Sequence, residues 1–222
     1  MMNSSIHSWS TLHALIILVT TILSLILFEI YPLIVVALFS FSLLIFLSKN
    51  EWTPHSRFGT GNFLTGIRLL LVLLIAFFHR QIPNYIIALS GFLILIGDGI
   101  DGKIARQKHE SSTFGEYFDK ETDALFIHMF CMLAVLKHVL GFWALLIGLL
   151  RYLFVMYLLI AGKKDRKERR SKTGRRIFVF VSCAVSIMFL PFPPISLAVA
   201  VLSIVLLLYS FGRDILWIQF AR

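Results

Sequence analysis

Four aspartates, Asp98, Asp101, Asp119 and Asp123, sit close together in a chain otherwise built from apolar runs long enough to cross a bilayer. Holding an ionised carboxylate at bilayer depth costs about 2.5–3.5 kcal/mol on insertion scales, so four cost on the order of 10 kcal/mol unless a charge compensates them. A divalent metal is the obvious compensation. The chain is 58% hydrophobic with a mean hydropathy of +0.85. Several of its apolar runs approach the ~20 residues needed to cross a ~30 Å hydrocarbon core. The sequence therefore predicts an all-α, polytopic transmembrane helical bundle.

The spacing of the acids adds a geometry. On a helix, Asp98, Asp101, Gly102 and Ala105 form one stripe, and Gly115, Asp119 and Asp123 form another. If residues 107–113 turn an antiparallel hairpin centred near Glu110, Asp98 faces Asp123 and Asp101 faces Asp119. Thr113 and Glu116 have the spacing of a capping box, which places a helix start at about that point. Glycine and alanine on the acidic stripes leave room for backbone to approach a flat or phosphorylated ligand, and they also allow close helix packing. Arg68, about a turn inside an apolar span, needs an anionic partner, and the aspartates are the natural one.

Asp98, Asp101, Gly102, Ala105, Arg106, Gly115, Asp119 and Asp123 together match the pattern D-x2-D-G-x2-A-R-x8-G-x3-D-x3-D without a gap or substitution. In this the chain resembles the CDP-alcohol phosphotransferases. The resemblance implies a membrane enzyme that moves a phosphatidyl or similar phospho-group from a CDP-linked donor to an alcohol and releases CMP. It implies Asp98, Asp101 and Asp119 as metal ligands, and Asp123 as both a ligand and the catalytic base for the acceptor hydroxyl. Two divalent ions are expected, and all-oxygen ligands favour Mg²⁺ or Mn²⁺. Gly102, Ala105 and Gly115 would make space for the cytidine nucleotide, and Arg106 would balance charge or touch phosphate. Asn62 and Thr65, on one helical face with Gly66, resemble the opening of the family's first core helix, which lines the nucleotide side. Arg151 resembles the arginine that begins an acceptor-phosphate pocket in phosphatidylglycerophosphate synthases, although Tyr152 replaces the glutamate usual beside it. Lys172 and Arg175 are placed to reach the same pocket. Homodimers are implied as well.

In chain order, residues 11–30 and 32–48 predict two membrane helices separated at Tyr31 and Pro32. Nothing in them points to chemistry, and residues 1–60 read as an accessory hairpin followed by a short interfacial segment at 49–61. Residues 61–222 read as a six-helix core with spans at 62–78, 84–106, 114–139, 141–162, 177–190 and 195–211, and an interfacial tail from 213. His128 is expected to be packed rather than ligating, Glu116 to act as a cap and Glu121 to be solvated. The first residues lack the positive region of a secretory signal and read as retained. Cys131 and Cys183 lie in apolar spans with no metal or disulfide spacing.

The net charge of +9 does not point to nucleic acid, because nine of the 21 lysines and arginines fall in residues 163–176, between apolar spans. Basic loops of this kind mark the cytoplasmic side and meet anionic membrane lipids. Helix alternation then puts the acidic cluster and both termini in the cytoplasm. The donor reads most readily as CDP-diacylglycerol and the acceptor as glycerol 3-phosphate, with serine, inositol phosphate and choline open and a soluble CDP-alcohol donor not excluded. Two other classes compete: a cation transporter, which more often shows inverted repeats or broken helices in matching halves, and a noncatalytic relative.

Overall fold

In a computed structural model of the chain, residues 3–55, 57–108, 110–162 and 171–220 are described; the side chains of residues 3–5, 101–106 and 220 lie outside the described residues. The described residues are helical with no strand. The α-helices are α1 (Asn3–Leu27), α2 (Tyr31–Leu47), α3 (Thr60–Phe77), α4 (Asn84–Gln107), α5 (Thr113–Leu136), α6 (Leu145–Ile160), α7 (Lys172–Ile187) and α8 (Pro193–Phe220), with a 3₁₀ turn at Phe142–Ala144 before α6. Four segments are long and apolar enough to cross a membrane: Ile6–Leu27, Thr60–Phe77, Phe142–Ile160 and Pro193–Gln219. Shorter apolar helices cover Tyr31–Leu47 and Asn84–Ile100. The protein is an integral membrane helical bundle.

Helix α5 is the hub. It packs on α3, α6, α7 and α1, while α4 bridges α3 and α7. Its second half is closed off on every side, and Leu125, Met129, Phe130, Cys131, Met132, Leu133 and Ala134 have no exposed surface. An apolar helix sealed all round is a core helix rather than a lipid-facing one. The first turns of α5 are polar, and that polarity creates the site. Helix α1 packs along both α5 and α6, and α2 packs on α1 and more lightly on α3.

Three helix ends differ from the sequence reading, each for a local reason. Helix α5 is capped by Ser112, not Thr113: the Ser112 hydroxyl accepts from the Gly115 amide at 3.0 Å, the usual N-cap geometry. Helix α7 starts at Lys172, five residues before the apolar run, because Ser171 caps it by accepting from the Gly174 amide at 2.9 Å. Helix α8 continues through the expected interfacial tail to Phe220, and Ile218 is buried against Phe154 and Leu158 of α6. Arg213 of that extension donates to the Ser171 hydroxyl at 2.6 Å, which ties the end of α8 to the start of α7.

The segment before α3 is folded back onto the bundle. The Trp52 ring meets Phe58 edge-on at 5.1 Å, and Phe58 lies against Phe114 and Phe118. The Trp52 carbonyl accepts from Asn62 Nδ2 at 2.9 Å and from the Ser112 hydroxyl at 2.7 Å. From the α4–α5 turn, the Glu110 carboxylate accepts from the Thr60 amide at 2.7 Å and so caps α3, where the helix dipole favours an anion. Gly59 supports this closure: its φ is +80°, and a Cβ there would fall 2.7 Å from Thr53 Cγ2 and 3.2 Å from Glu110 Oε2. At the other end of the bundle, Lys137 Nζ donates to the carbonyls of His79 and Ile82.

Candidate active site

The acidic site is made by three helices meeting at a tight turn. Helices α4 and α5 follow one another, joined by residues 108–112, and among the described residues each packs closely on α3 and α7 rather than along the other, so the expected hairpin is wedged open by its neighbours. Asp98, Asp119 and Asp123 converge so that one carboxylate oxygen from each lies within 4.8 Å of the others. Two of the three are i and i+4 on α5, so the helix itself stacks them on one face.

Arg68 of α3 projects into this cluster and is only 4% exposed. Its guanidinium donates to Asp119 Oδ1 at 2.9 Å, pairs with Asp98 Oδ1 at 3.4 Å and also donates to Asp123. The expected partnership between Arg68 and the aspartates is thus seen directly. Gly97 makes it possible, since a Cβ there would stand 3.2 Å from Arg68 Cδ and 3.3 Å from Cγ. Sequence reasoning passed over Gly97; the signal was a glycine beside the first aspartate, facing an arginine that has to cross the helix interface.

The charge count decides what else the site can hold. Among the described residues, three ionised carboxylates carry two more negative charges than the one guanidinium they face cancels, and Asp98 and Asp119 keep access to solvent, at 25% and 38% exposed. A set of oxygen donors this close, in negative excess and partly open, fits a hard divalent cation such as Mg²⁺ or Mn²⁺. Asp101, Gly102, Ala105 and Arg106 lie on the last turns of α4, and their side chains are outside the described residues.

The expected nucleotide-side residues surround the same corner. Asn62 and Thr65 are buried on α3, in the two turns before Arg68. The Asn62 amide donates to the Phe58 and Trp52 carbonyls, and Thr65 donates to the Gly61 carbonyl at 3.2 Å. Gly115 lets α5 approach α3 here: a Cβ at this position would fall 2.8 Å from Asn62 Oδ1. Its missing side chain is therefore filled by Asn62 in this structure.

Of the expected acceptor residues, Lys172 and Arg175 are exposed on the first turn of α7. Arg151 is placed elsewhere. It donates to Glu121 Oε1 at 2.7 Å, on a face of α5 turned away from Asp119 and Asp123. Glu121, expected to be solvated, is instead 1% exposed and salt-bridged. The signal for its burial was its position on a stripe with Leu125 and His128, where α5 becomes apolar all round. His128 is packed as expected, fully buried with Nε2 2.8 Å from the Thr21 hydroxyl.

The family model for CDP-alcohol phosphatidyltransferase matches residues 58–218, which take in the last two residues before α3 and the helices from α3 to all but the end of α8. The chain belongs to the CDP-alcohol phosphatidyltransferase family. No curated protein matches it. As a member of this family it is a membrane transferase of phospholipid synthesis that transfers phosphatidyl groups from CDP-alcohols, in a family that uses divalent metal. The match begins after α1 and α2, so the amino-terminal hairpin lies outside it.

Proposed function

We propose that this CDP-alcohol phosphatidyltransferase takes CDP-diacylglycerol as donor and transfers its phosphatidyl group to the hydroxyl of a small anionic alcohol, with glycerol 3-phosphate the favoured acceptor. The observation that carries the reaction chemistry is the convergence of Asp98, Asp119 and Asp123 around a single arginine, in negative excess and partly open to solvent. Divalent cations bound there would polarise the donor diphosphate and neutralise charge on the departing CMP.

In this reading Asp98, Asp101, Asp119 and Asp123 are the ligands. Asp123 also takes the proton of the acceptor hydroxyl as its oxygen bonds to the phosphatidyl phosphorus and the bond from that phosphorus to CMP breaks. A carboxylate among cations is a weak base, so its role rests on placement against the hydroxyl. Asn62, Thr65, Gly102, Ala105, Arg106 and Gly115 frame the nucleotide. Arg68 holds the carboxylates together and shares in balancing their charge.

A lipid-linked donor is supported by an apolar groove of about 250 Å³ between α2 and α3, lined by Leu38, Phe41, Ile45, Phe63, Ile67 and Phe118. For an anionic acceptor the support is the basic run at 163–176, from which Lys172 and Arg175 stand exposed at the start of α7. Arg151 is engaged by Glu121, so in this reading Lys172 and Arg175 meet the acceptor anion. The same basic run favours a cytoplasmic site. Purified protein should release CMP from CDP-diacylglycerol only with acceptor and divalent metal present. Release that persists after chelation, or that needs no acceptor, would refute the reading.

A further inference from the structure

Helix α1 makes a run of polar contacts along α5. The Tyr117 hydroxyl lies 2.9 Å from His7 Nδ1, the Ser10 hydroxyl donates to Glu121 Oε1 at 2.9 Å, and the Thr21 hydroxyl lies 2.8 Å from His128 Nε2. Because the Thr21 hydrogen goes to the Ile17 carbonyl at 2.7 Å, His128 is the donor in the last pair. Ser10, Thr21, Glu121 and His128 are each 5% exposed or less. Few hydroxyls and imidazoles are buried in membrane helices without a partner, because lipid offers none. Here the partners lie on another helix, at a fixed register.

The register matters because of where these residues sit on α5. At 100° per residue, Tyr117, Glu121 and His128 fall within about 40° of one another, over about 16 Å of helix. Asp119 and Asp123 lie roughly 160–240° around from them, on the opposite side of the same rod. A rotation of α5 that broke the contacts with α1 would swing both carboxylates by the same angle. From α6, Arg151 also donates to Glu121, and Gly148 brings its backbone so close that a Cβ there would fall 2.5 Å from His128 Cα. The back of α5 is therefore gripped at defined heights by two helices, and one of them lies outside the family-matched segment.

We propose that α1 is a positioning element of this transferase: through Tyr117, Glu121 and His128 it sets the rotation and height of α5, and so the placement of Asp119 and Asp123. Ser10 and Glu121 are positioning residues at the centre of that contact. The proposal rests on the reading of Asp119 and Asp123 as metal ligands. Outer partners that orient ligands typically change metal affinity 10- to 100-fold when removed, and small misplacements at a reacting centre are costly.

The test uses the full chain in lipid nanodiscs, with Mn²⁺ binding read by electron paramagnetic resonance and turnover by CMP release. Ser10→Ala and Ser10→Ala/Thr21→Val should weaken Mn²⁺ binding by roughly 10-fold and lower kcat, while the donor KM stays unchanged. Ser10→Thr, which keeps the hydroxyl, should restore both. Asp98→Asn serves as the control that must lose Mn²⁺ affinity. If wild type binds Mn²⁺ and folded Ser10→Ala matches it in affinity and kcat, the positioning role is overturned while the metal site stands. If wild type binds no Mn²⁺ and Asp98→Asn changes nothing, the metal reading falls and the positioning role falls with it.

Discussion

Two arginines lie against opposite sides of α5, and they meet carboxylates in different ways. Arg68 faces three, Asp98, Asp119 and Asp123, which all keep some solvent access. Among the described residues Arg151 faces one, Glu121, which is 1% exposed and also receives the Ser10 hydroxyl. The second pair is matched one to one and its carboxylate is sealed from solvent, the form an ion pair takes when it joins helices. The first is unbalanced and open, and a site in that state recruits a cation. A buried arginine in a membrane helix therefore does not by itself mark a binding pocket; the ratio of carboxylates to arginine around it does.

That contrast can be broken at several points. The largest effect is expected on the open side: Asp123→Asn should abolish CMP release, a loss of more than about 10³-fold if the acceptor proton has no other base, while donor binding remains measurable. On the closed side, Glu121→Gln should leave Arg151 without its counter-charge and cost about 3–5 kcal/mol of stability by thermal or denaturant unfolding. Glu121→Leu combined with Arg151→Met should recover most of that loss, since an apolar pair of similar volume often replaces a buried ion pair without penalty. No such rescue is expected on the open side for Asp119→Leu combined with Arg68→Met, where activity stays lost.

Glycine substitutions sharpen the comparison further. Gly148→Ala pushes a Cβ against His128 backbone and should cost about 3 kcal/mol or more, because neither helix can yield cheaply. Gly115→Ala meets the Asn62 side chain and should cost nearer 1 kcal/mol, with a larger effect on activity than on unfolding. The smallest change is expected from Lys172→Ala, which should raise the KM for an anionic acceptor a few-fold and leave the donor KM unchanged.

The sequence carried the facing of Asp98 with the acids of α5 and the partner of Arg68. Both follow from helical spacing and from the cost of charge in lipid. Glu121 escaped because its neighbours in sequence, Lys120 and the two aspartates, are polar. Its partners, Ser10 and Arg151, are 111 and 30 residues away, and no local pattern reports a contact of that range. The helix starts at Ser112 and Ser171 escaped for a smaller reason: several adjacent residues can cap, and the hydrogen-bond geometry chooses between them. The run from Arg213 to Phe220 read as a tail because its charges hid an apolar stripe that places Ile218 against α6.

The joint at the Trp52 carbonyl has a mechanical meaning. Asn62 of α3 and Ser112 at the head of α5 end on the same oxygen, and Glu110 holds the first amide of α3 from the turn that leads into α5. Prising α3 from α5 at this rim would break the Glu110 bond together with one of the two that end on Trp52. The arginine and the two acids it faces on α5 therefore ride on one stiff clamp, with Trp52 acting as its rivet rather than as slack between parts.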